Sequence, residues 1–155
     1  MQLSPHFTLA EMCKSATGIR LGIDNVPNAD VIGNLQALCV NVLEPIRDYF
    51  GRPVTVMSGY RCPDLNRAVN GARGSQHMTG EAADIEIAGV INARLAQWIA
   101  DGNVPFDQVI LEFYTRGIPD SGWVHVSYRP NGRRSILTAE RVKGRTVYRK
   151  GVIVP

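Results

Sequence analysis

Ser58 to Asp84 read S-G-Y-R-C-P-D-L-N-R-A-V-N-G-A-R-G-S-Q-H-M-T-G-E-A-A-D, with His77 and Asp84 seven residues apart. Neutral imidazole and carboxylate are good ligands for Zn²⁺, which usually takes four ligands in a tetrahedral array. On a straight helix, seven residues would separate the two side chains by about 10 Å, too far for them to share one ion. The spacing therefore predicts that the chain turns at Gly80 and enters a strand at Ala82, because a turn brings the two side chains together.

The residues after the turn alternate as in a half-buried strand. In A-A-D-I-E-I, Ile85 and Ile87 fall on one face, and Asp84 falls on the other face with Glu86. A catalytic zinc normally takes a third protein ligand and leaves one position for water. The chain has only three histidines, and His125 lies in a second strand-like run, W-V-H-V-S-Y. This histidine is therefore the candidate third ligand.

Two motifs carry a family resemblance. The pattern S-x-H-x-x-G-x-A-x-D occupies residues 75–84, and W-V-H follows at residues 123–125. Together they resemble the zinc D-alanyl-D-alanine carboxypeptidases, a family that includes the phage L-alanyl-D-glutamate endolysin peptidases and shares its zinc site in outline with the hedgehog signalling domain. S-G-Y-R at residues 58–61 and F-D-Q-V-I-L-E at residues 106–112 are also similar to the family. The resemblance extends from F-T-L-A-E-M near the start to about Tyr128.

The resemblance implies an α+β fold, with a small central, mostly antiparallel sheet and helices packed on one side. It also implies a monomeric, zinc-dependent peptidase that hydrolyses peptidoglycan stem peptides, with one Zn²⁺ held by His77, Asp84 and His125. The expected partner is a peptide substrate and no specific nucleic acid. The bond cut stays open between D-Ala–D-Ala, L-Ala–D-Glu and a cross-bridge. The competing hypothesis is a non-catalytic module that keeps the zinc fold for wall binding or as a structural part of a virion.

Peptide hydrolysis also needs a carboxylate that takes a proton from water and passes it to the leaving amine. Members of the family place this glutamate either in E-x-x-H, just before the third ligand, or at the end of the preceding strand. Gly122 occupies the first of these positions, so the resemblance implies Glu112, at the end of V-I-L-E, as the catalytic base. Of the rival carboxylates, Glu81 is expected to face solvent, and Glu86 shares a strand face with the aspartate ligand.

Two polar residues near the motif are candidates for substrate binding. The planar guanidinium of Arg61 matches a substrate carboxylate with two hydrogen bonds, and the alternative is a structural ion pair with an acid such as Asp64. Ser75 contacts substrate or orients His77, or else caps a helix. Some relatives carry a histidine where this chain has Trp123, so transition-state stabilisation would here fall to Arg61 or to a backbone donor.

The composition is that of one domain. The chain has 155 residues, 45% of them apolar, and we expect a single zinc peptidase domain over residues 1–155. No apolar run is long enough to span a membrane, and the first residues lack a signal-peptide pattern. We therefore expect synthesis in a cytoplasm and action on the bacterial cell wall, either after holin-mediated release of a phage-encoded enzyme or as a virion component. Three cysteines without C-x-x-C spacing favour free thiols.

Charge is distributed unevenly along the chain. Residues 129–155 carry eight basic residues and one acidic residue, whereas the rest of the chain carries nine basic and thirteen acidic residues. This basic C-terminal segment favours an anionic partner such as wall polymer, membrane headgroups or nucleic acid. A solvated strand face explains the same charges equally well.

Hydrophobic periodicity predicts the helices. Apolar residues at helical spacing predict a long helix over residues 28–50, although Pro45 should kink or split it. Residues 18–27 read as a loop. Residues 90–100 read as an amphipathic helix with Ile91 facing inward.

Two strand-like runs in the second half of the chain flank a polar turn. Residues 106–113 and 123–128 predict an antiparallel pair, and the basic segment adds one or two further strands. Glu112 lies at the end of the outgoing strand, across the turn from His125, where it would reach water at the zinc.

Overall fold

Two sheets are present in the computed structural model, which describes residues 1–154. The small sheet pairs β1 (Gln2–Ser4) with β2 (Phe7–Thr8). The central sheet has six strands: β3 (Thr55–Ser58), β4 (Ala82–Glu86), β5 (Gln108–Glu112), β6 (Trp123–Ser127), β7 (Ser135–Val142) and β8 (Arg145–Lys150). With the helices described below, the fold class is α+β, as predicted.

The strand order of the central sheet is β3-β4-β6-β5-β7-β8. All neighbouring strands are antiparallel except β5 and β7, which are parallel. The sheet is therefore mostly antiparallel, as predicted, but it is larger than the small sheet that we expected. The reason is that the basic C-terminal segment adds two long strands to the edge of β5.

The helices precede and flank these strands. They are α1 (Leu9–Cys13), α2 (Ala16–Leu21), α3 (Ala29–Leu38), α4 (Glu44–Phe50), α5 (Pro63–Ala68), α6 (Asn92–Trp98) and a 3₁₀ helix at Gln76–Thr79. α2 lies mostly within residues 18–27, which we expected to be a loop. Its first turn is stabilised because the Ser15 hydroxyl accepts a hydrogen bond from the Gly18 N–H at 3.1 Å. Among residues 1–154, none of the helices has the length and apolar character needed to cross a membrane.

The helix predicted over residues 28–50 forms, and Pro45 changes its hydrogen bonding without splitting it. A π-helical turn, Cys39–Leu43, joins α3 to α4, and the Glu44 N–H donates to the Cys39 carbonyl, five residues back. The backbone keeps right-handed helical angles at both junctions. Pro45 has no N–H to donate, so the wider turn just before it accommodates the proline within one continuous helical segment.

One face of the central sheet packs against this helical segment. The predicted apolar positions of the helix, Val31, Leu35, Leu38, Val42 and Ile46, are all buried. They meet the apolar strand positions Ile85, Val109, Leu111, Val124 and Val126 in one core. Full burial of each large aliphatic side chain contributes about 1.5–3 kcal/mol. The alternate strand positions face the other side of the sheet, and this open face carries the polar residues of interest.

The expectation for Ile91 was wrong, whereas the expectation for the cysteines is confirmed. Ile91 is 42% exposed and does not face inward, because α6 begins at Asn92 and Ile91 is its N-cap residue. The cysteines are free thiols, as expected. Cys39 is fully buried, and burial raises the pKa of its thiol to about 12.

Candidate metal site and groove

Asp84 and His125 lie directly opposite each other on two neighbouring central strands. They are register partners in the antiparallel pair of β4 and β6, and such partners have Cβ atoms about 4.5–5.5 Å apart. The Asp84 Oδ1 atom lies 3.0 Å from Nδ1 of His125. Both side chains lie on the open face of the sheet, opposite the buried Ile85, as the alternation in the sequence predicted.

His77 reaches the same place from the 3₁₀ helix that precedes β4. The helix ends at Gly80, whose φ of 74° is in the left-handed region, and the chain enters β4 at Ala82. A Cβ atom at Gly80 would lie 2.6 Å from the Val31 carbonyl oxygen, so the turn requires glycine here. The predicted turn is therefore confirmed, and it places His77 Nε2 at 3.3 Å from Asp84 Oδ1.

A backbone carbonyl determines which nitrogen of His77 faces the aspartate. The His77 Nδ1–H donates to the Gly59 carbonyl at 2.7 Å. Because a carbonyl only accepts, the ring proton is on Nδ1 and the lone pair of Nε2 points toward Asp84. Metal-binding histidines usually donate their other ring N–H in this way, which orients the ring.

The donor set fits one zinc ion. His77, Asp84 and His125 each offer a ligand atom, and these atoms all lie within 4.8 Å of one another. Zinc bonds of 2.0–2.2 Å in a tetrahedron place ligand atoms about 3.3 Å apart, close to the separations of 3.3 Å and 3.0 Å from Asp84 Oδ1. Burial opposes ionisation of Asp84, but the two histidines together hold its pKa well below its usual range. The aspartate is therefore in the ionised form that binds metal.

Glu112 lies beside this donor set on β5. Its register partner on β6 is Trp123, two residues from His125, so the side chains of all three residues lie on the same face. Burial and the negative charge of Asp84 raise the Glu112 pKa to about 7, while His125 and Arg61 act in the opposite direction. A carboxylate with this pKa accepts and releases a proton readily near neutral pH.

The hairpin between β5 and β6 excludes the other arrangement of the base. Gly122 has a φ of 64°, and a Cβ atom added to it would lie 2.0 Å from the Glu112 carbonyl oxygen. A glutamate at this position would therefore collide with the backbone of β5. The structure supports the argument from the sequence that a base in E-x-x-H is not possible in this chain.

The rival carboxylates are placed differently from Glu112. We expected Glu81 to face solvent, but its Oε2 atom accepts a hydrogen bond from Arg129 Nε at 2.9 Å. The same oxygen lies 3.3 Å from Gln76 Nε2. This expectation was wrong because an arginine 48 residues further along the chain covers the carboxylate. Glu86 pairs with Thr55 of β3 and lies beyond the groove described below.

Arg61 is half-buried next to the metal ligands. Its backbone N–H donates to the His77 carbonyl at 3.0 Å, and its Nη2 donates to the Ser75 hydroxyl at 3.4 Å. The Arg61 pKa is lowered, because the effect of burial exceeds the opposing effect of the negative charges on Asp84 and Glu112. Its Nε atom is buried and has no acceptor among residues 1–154.

The contacts of Arg61 and Ser75 bear on whether these residues have structural roles. Asp64 forms its ion pair with Arg67 and not with Arg61. The Ser75 hydroxyl caps the 3₁₀ helix by accepting a hydrogen bond from the His77 N–H at 3.3 Å. It also accepts a hydrogen bond from Arg61 Nη2. Ser75 therefore supports both His77 and Arg61, and its contact with a substrate stays a prediction.

A buried aspartate, which the sequence analysis did not single out, connects the metal site to the basic segment. Asp107 is 1% exposed, and its carboxylate accepts from Gln76 Nε2 at 3.0 Å. It also accepts from the backbone N–H of Arg133 at 2.9 Å and from Nη2 of that guanidinium at 2.8 Å. These hydrogen bonds lower the Asp107 pKa to about 2. Asp107 thus joins the residue next to His77 to the loop that leads into β7.

The open face of the sheet forms a groove of about 930 Å³ that contains the three metal ligands, Arg61 and Glu112. The hairpin of β7 and β8 was predicted only as possible strands, but it supplies one wall of this groove. Its groove-lining residues are Leu137, Arg141, Thr146 and Tyr148. Burial and the charge of Glu112 raise the Tyr148 pKa, so this tyrosine lies within electrostatic reach of the candidate base.

Comparison with known proteins agrees with this geometry. A family model described as Peptidase M15 matches residues 5–127. The match includes the three metal ligands, Arg61 and Glu112, and it ends at the last residue of β6. No curated protein matches the chain.

Proposed function

The chain belongs to the peptidase M15 family of zinc metallopeptidases, and from this premise we propose that it hydrolyses the stem peptides of peptidoglycan. One observation carries the proposal. A His-Asp-His donor set that fits zinc shares a groove with a half-buried glutamate whose pKa is about 7 and with an arginine that has no acidic partner among residues 1–154. Water activation and carboxylate recognition need these groups together.

The zinc supplies Lewis-acid chemistry when it is bound, because it polarises the scissile carbonyl and lowers the pKa of water from about 16 to about 7. His77, Asp84 and His125 would hold it. Glu112 takes the proton from the attacking water and delivers it to the leaving amine, which is the role of a general base and then of a general acid. Its burial keeps the proton affinity near neutrality, where both transfers are favourable.

Arg61 would bind a carboxylate of the substrate and place the peptide in the groove. Stem peptides carry free carboxylates at the D-alanine terminus and on D-glutamate, close to the candidate bonds. A guanidinium that makes two hydrogen bonds to such a group determines the orientation of the scissile carbonyl. Because Trp123 occupies the position of the second histidine of some relatives, Arg61 or a backbone donor would also stabilise the charge that develops on the carbonyl oxygen.

The competing function is a non-catalytic zinc module that binds the wall or forms part of a virion. Glu112 favours the enzyme, because a structural zinc site has no need of a carboxylate with a raised pKa in an open groove. We further propose that the enzyme is phage-encoded and that it acts on the bacterial wall as a monomer.

The test is product analysis on defined muropeptides by mass spectrometry. We expect the zinc-loaded protein to release one new amine from a stem peptide, a chelator to stop the reaction, and added zinc to restore it. The masses of the two products identify the bond as D-Ala–D-Ala, L-Ala–D-Glu or a cross-bridge. Intact muropeptides after incubation with fully zinc-loaded protein would favour the non-catalytic module.

A further inference from the structure

The wall formed by β7 and β8 continues the row of residues that contains the candidate base. Trp123 of β6 pairs with Glu112 of β5, Glu112 pairs with Ala139 of β7, and Ala139 pairs with Tyr148 of β8. Register partners point to the same face of a sheet. Glu112 and Tyr148 therefore lie on the same face, with the buried Ala139 between them. Both line the groove, which extends from the metal ligands onto the hairpin.

Phe113 connects Glu112 to this wall. It follows Glu112 directly and has a φ of 56°, an uncommon conformation for a residue with a bulky side chain. A left-handed residue interrupts the strand alternation, and both Phe113 and Glu112 line the groove. The Phe113 ring lies edge-on to Trp123 with centroids 5.4 Å apart, and the Arg141 Cζ atom lies over the same ring at 5.2 Å. The aromatic ring that follows the base in the chain thus contacts the Arg141 guanidinium.

The arginines that line the groove fall into two pairs. Arg129 is neutralised by Glu81 at 2.9 Å, and Arg133 is neutralised by Asp107 at 2.8 Å. The other two, Arg61 and Arg141, form no ion pair within residues 1–154. These two guanidiniums are therefore the ones available to an anionic ligand.

The two available arginines lie on opposite sides of the catalytic centre. Arg61 follows β3, at one edge of the sheet, and Arg141 is on β7, near the other edge. The strands between them carry Asp84, His125 and Glu112. A peptide bound across the strands would thus have its scissile bond over the centre and one guanidinium on each side.

We infer that Arg141 is a second carboxylate-binding residue of the groove, and that the protein selects acidic peptides with a free carboxylate on each side of the scissile bond. This inference rests on the proposed function. Arg61 takes one carboxylate and Arg141 takes the other. The planar fork of Arg141, positioned by its contact with Phe113, suits bidentate recognition. The hairpin that carries Arg141 lies beyond the residues matched by the family model, so this selectivity belongs to the C-terminal segment.

The experiment uses stem peptides in which each carboxylate in turn is free or amidated, and it measures kcat/KM for three zinc-loaded proteins. These are the wild type, Arg141→Ala and Arg145→Ala. Arg145 is a matched control because it lies on the same hairpin and is exposed, but it pairs with Val142 and does not line the groove. Zinc content and melting temperature are recorded for each protein.

We expect Arg141→Ala to lower kcat/KM on the fully free peptide by about tenfold or more, the usual size for loss of charged hydrogen bonds. This variant should become indifferent to amidation at one carboxylate while it still discriminates at the other. Arg141→Lys should lie between the wild type and the alanine variant, since it keeps the charge and loses the fork. Arg145→Ala should behave as the wild type.

Two results would overturn the inference while leaving the proposed function intact. In the first, Arg141→Ala cleaves the peptides and discriminates at every carboxylate as the wild type does. In the second, Arg145→Ala loses as much activity as Arg141→Ala, which would show an effect of net charge alone. A wild-type protein that carries zinc and cleaves none of the peptides would instead overturn the proposed function itself.

Discussion

The metal side of the groove and its hairpin wall are built in different ways. On the metal side, His77 is 2% exposed and His125 is 8% exposed. The Gly59 carbonyl holds the His77 ring at 2.7 Å, and strand pairing places His125 opposite Asp84. On the hairpin wall, Tyr148 is 56% exposed, and Arg141 is held by one contact with an aromatic ring. The first region can hold an ion in one geometry, whereas the second presents exposed side chains to a ligand.

This difference suits the metal side to catalysis and the hairpin wall to substrate selection. Ligand atoms around zinc must lie within a few tenths of an ångström of their positions, so they require short, buried connections. A wall that recognises part of a peptide tolerates side-chain movement, because a guanidinium can follow a carboxylate. Changes on the metal side should therefore abolish function, and changes on the wall should alter substrate preference.

The largest expected effect is at a metal ligand. His77→Ala removes one of the three ligands, and we expect zinc to fall from near one per chain to background and activity to disappear with it. Metal analysis of protein purified without chelator measures this. An active variant without metal would contradict the assignment of the chemistry to the metal side, because that region would then hold no essential ion.

The next effect separates the base from the ligands. Glu112→Gln keeps the shape of the side chain and leaves the three ligands in place, so zinc content and melting temperature should not change. Turnover should fall by about a hundredfold or more, the usual contribution of general acid–base catalysis. Glu81→Gln is the control, because Glu81 is paired with Arg129 and does not line the groove. If Glu81→Gln were inactive and Glu112→Gln active, the assignment of the base would be wrong.

Arg61 tests whether the metal side also binds substrate. We expect Arg61→Ala to lower kcat/KM on muropeptides by about tenfold or more, with a smaller loss for Arg61→Lys, because lysine keeps the charge but not the planar fork. Zinc content and melting temperature should barely change. Lower stability with full activity per folded molecule would indicate a structural role for Arg61.

The smallest expected effect on catalysis is at Asp107, which connects the metal side to the basic segment through Gln76 and Arg133. A change there should mainly affect stability. Asp107→Asn removes the charge that holds Arg133 and should lower the free energy of unfolding by about 1–3 kcal/mol. The Asp107 pKa, about 2, lies below its ordinary value of 3.8. Its ionised form therefore stabilises the fold above about pH 4, and this contribution is lost as the pH falls toward 2.

Melting temperature against pH measures this contribution. The wild type and Asp107→Asn should differ most at neutral pH and converge toward pH 2. Asp64→Asn is the control, because Asp64 forms an exposed ion pair with Arg67 that contributes little to stability. An equal loss of stability in both variants would contradict a special role for the buried carboxylate.

The residues that could be predicted from the sequence are those whose partners are close in the chain or follow from strand alternation. Gly80 determines the turn between His77 and Asp84, and the alternation in A-A-D-I-E-I places the aspartate on the open face. The helix before β3 was predicted from its apolar spacing, and only its π-helical turn was missed, because its hydrogen bonding does not change which residues are buried.

The features that could not be predicted depend on residues far apart in the chain. The ion pair of Glu81 with Arg129 spans 48 residues, and the contact of Gln76 with Asp107 spans 31. The parallel pairing of β5 with β7 is not indicated by any local pattern, because the strand order depends on the whole sheet. For the same reason, the basic segment could be recognised by its charge but not as a wall of the groove.

The glycine at position 122 also has an evolutionary consequence. Its left-handed backbone lets the hairpin close against β5, and the Glu112 carbonyl fills the space that any side chain at this position would need. A lineage with this hairpin cannot move its base to E-x-x-H by a point mutation, because the new glutamate would have no room. To reach that arrangement, the loop between residues 113 and 122 would also have to follow a different path, so that position 122 lies clear of the Glu112 carbonyl.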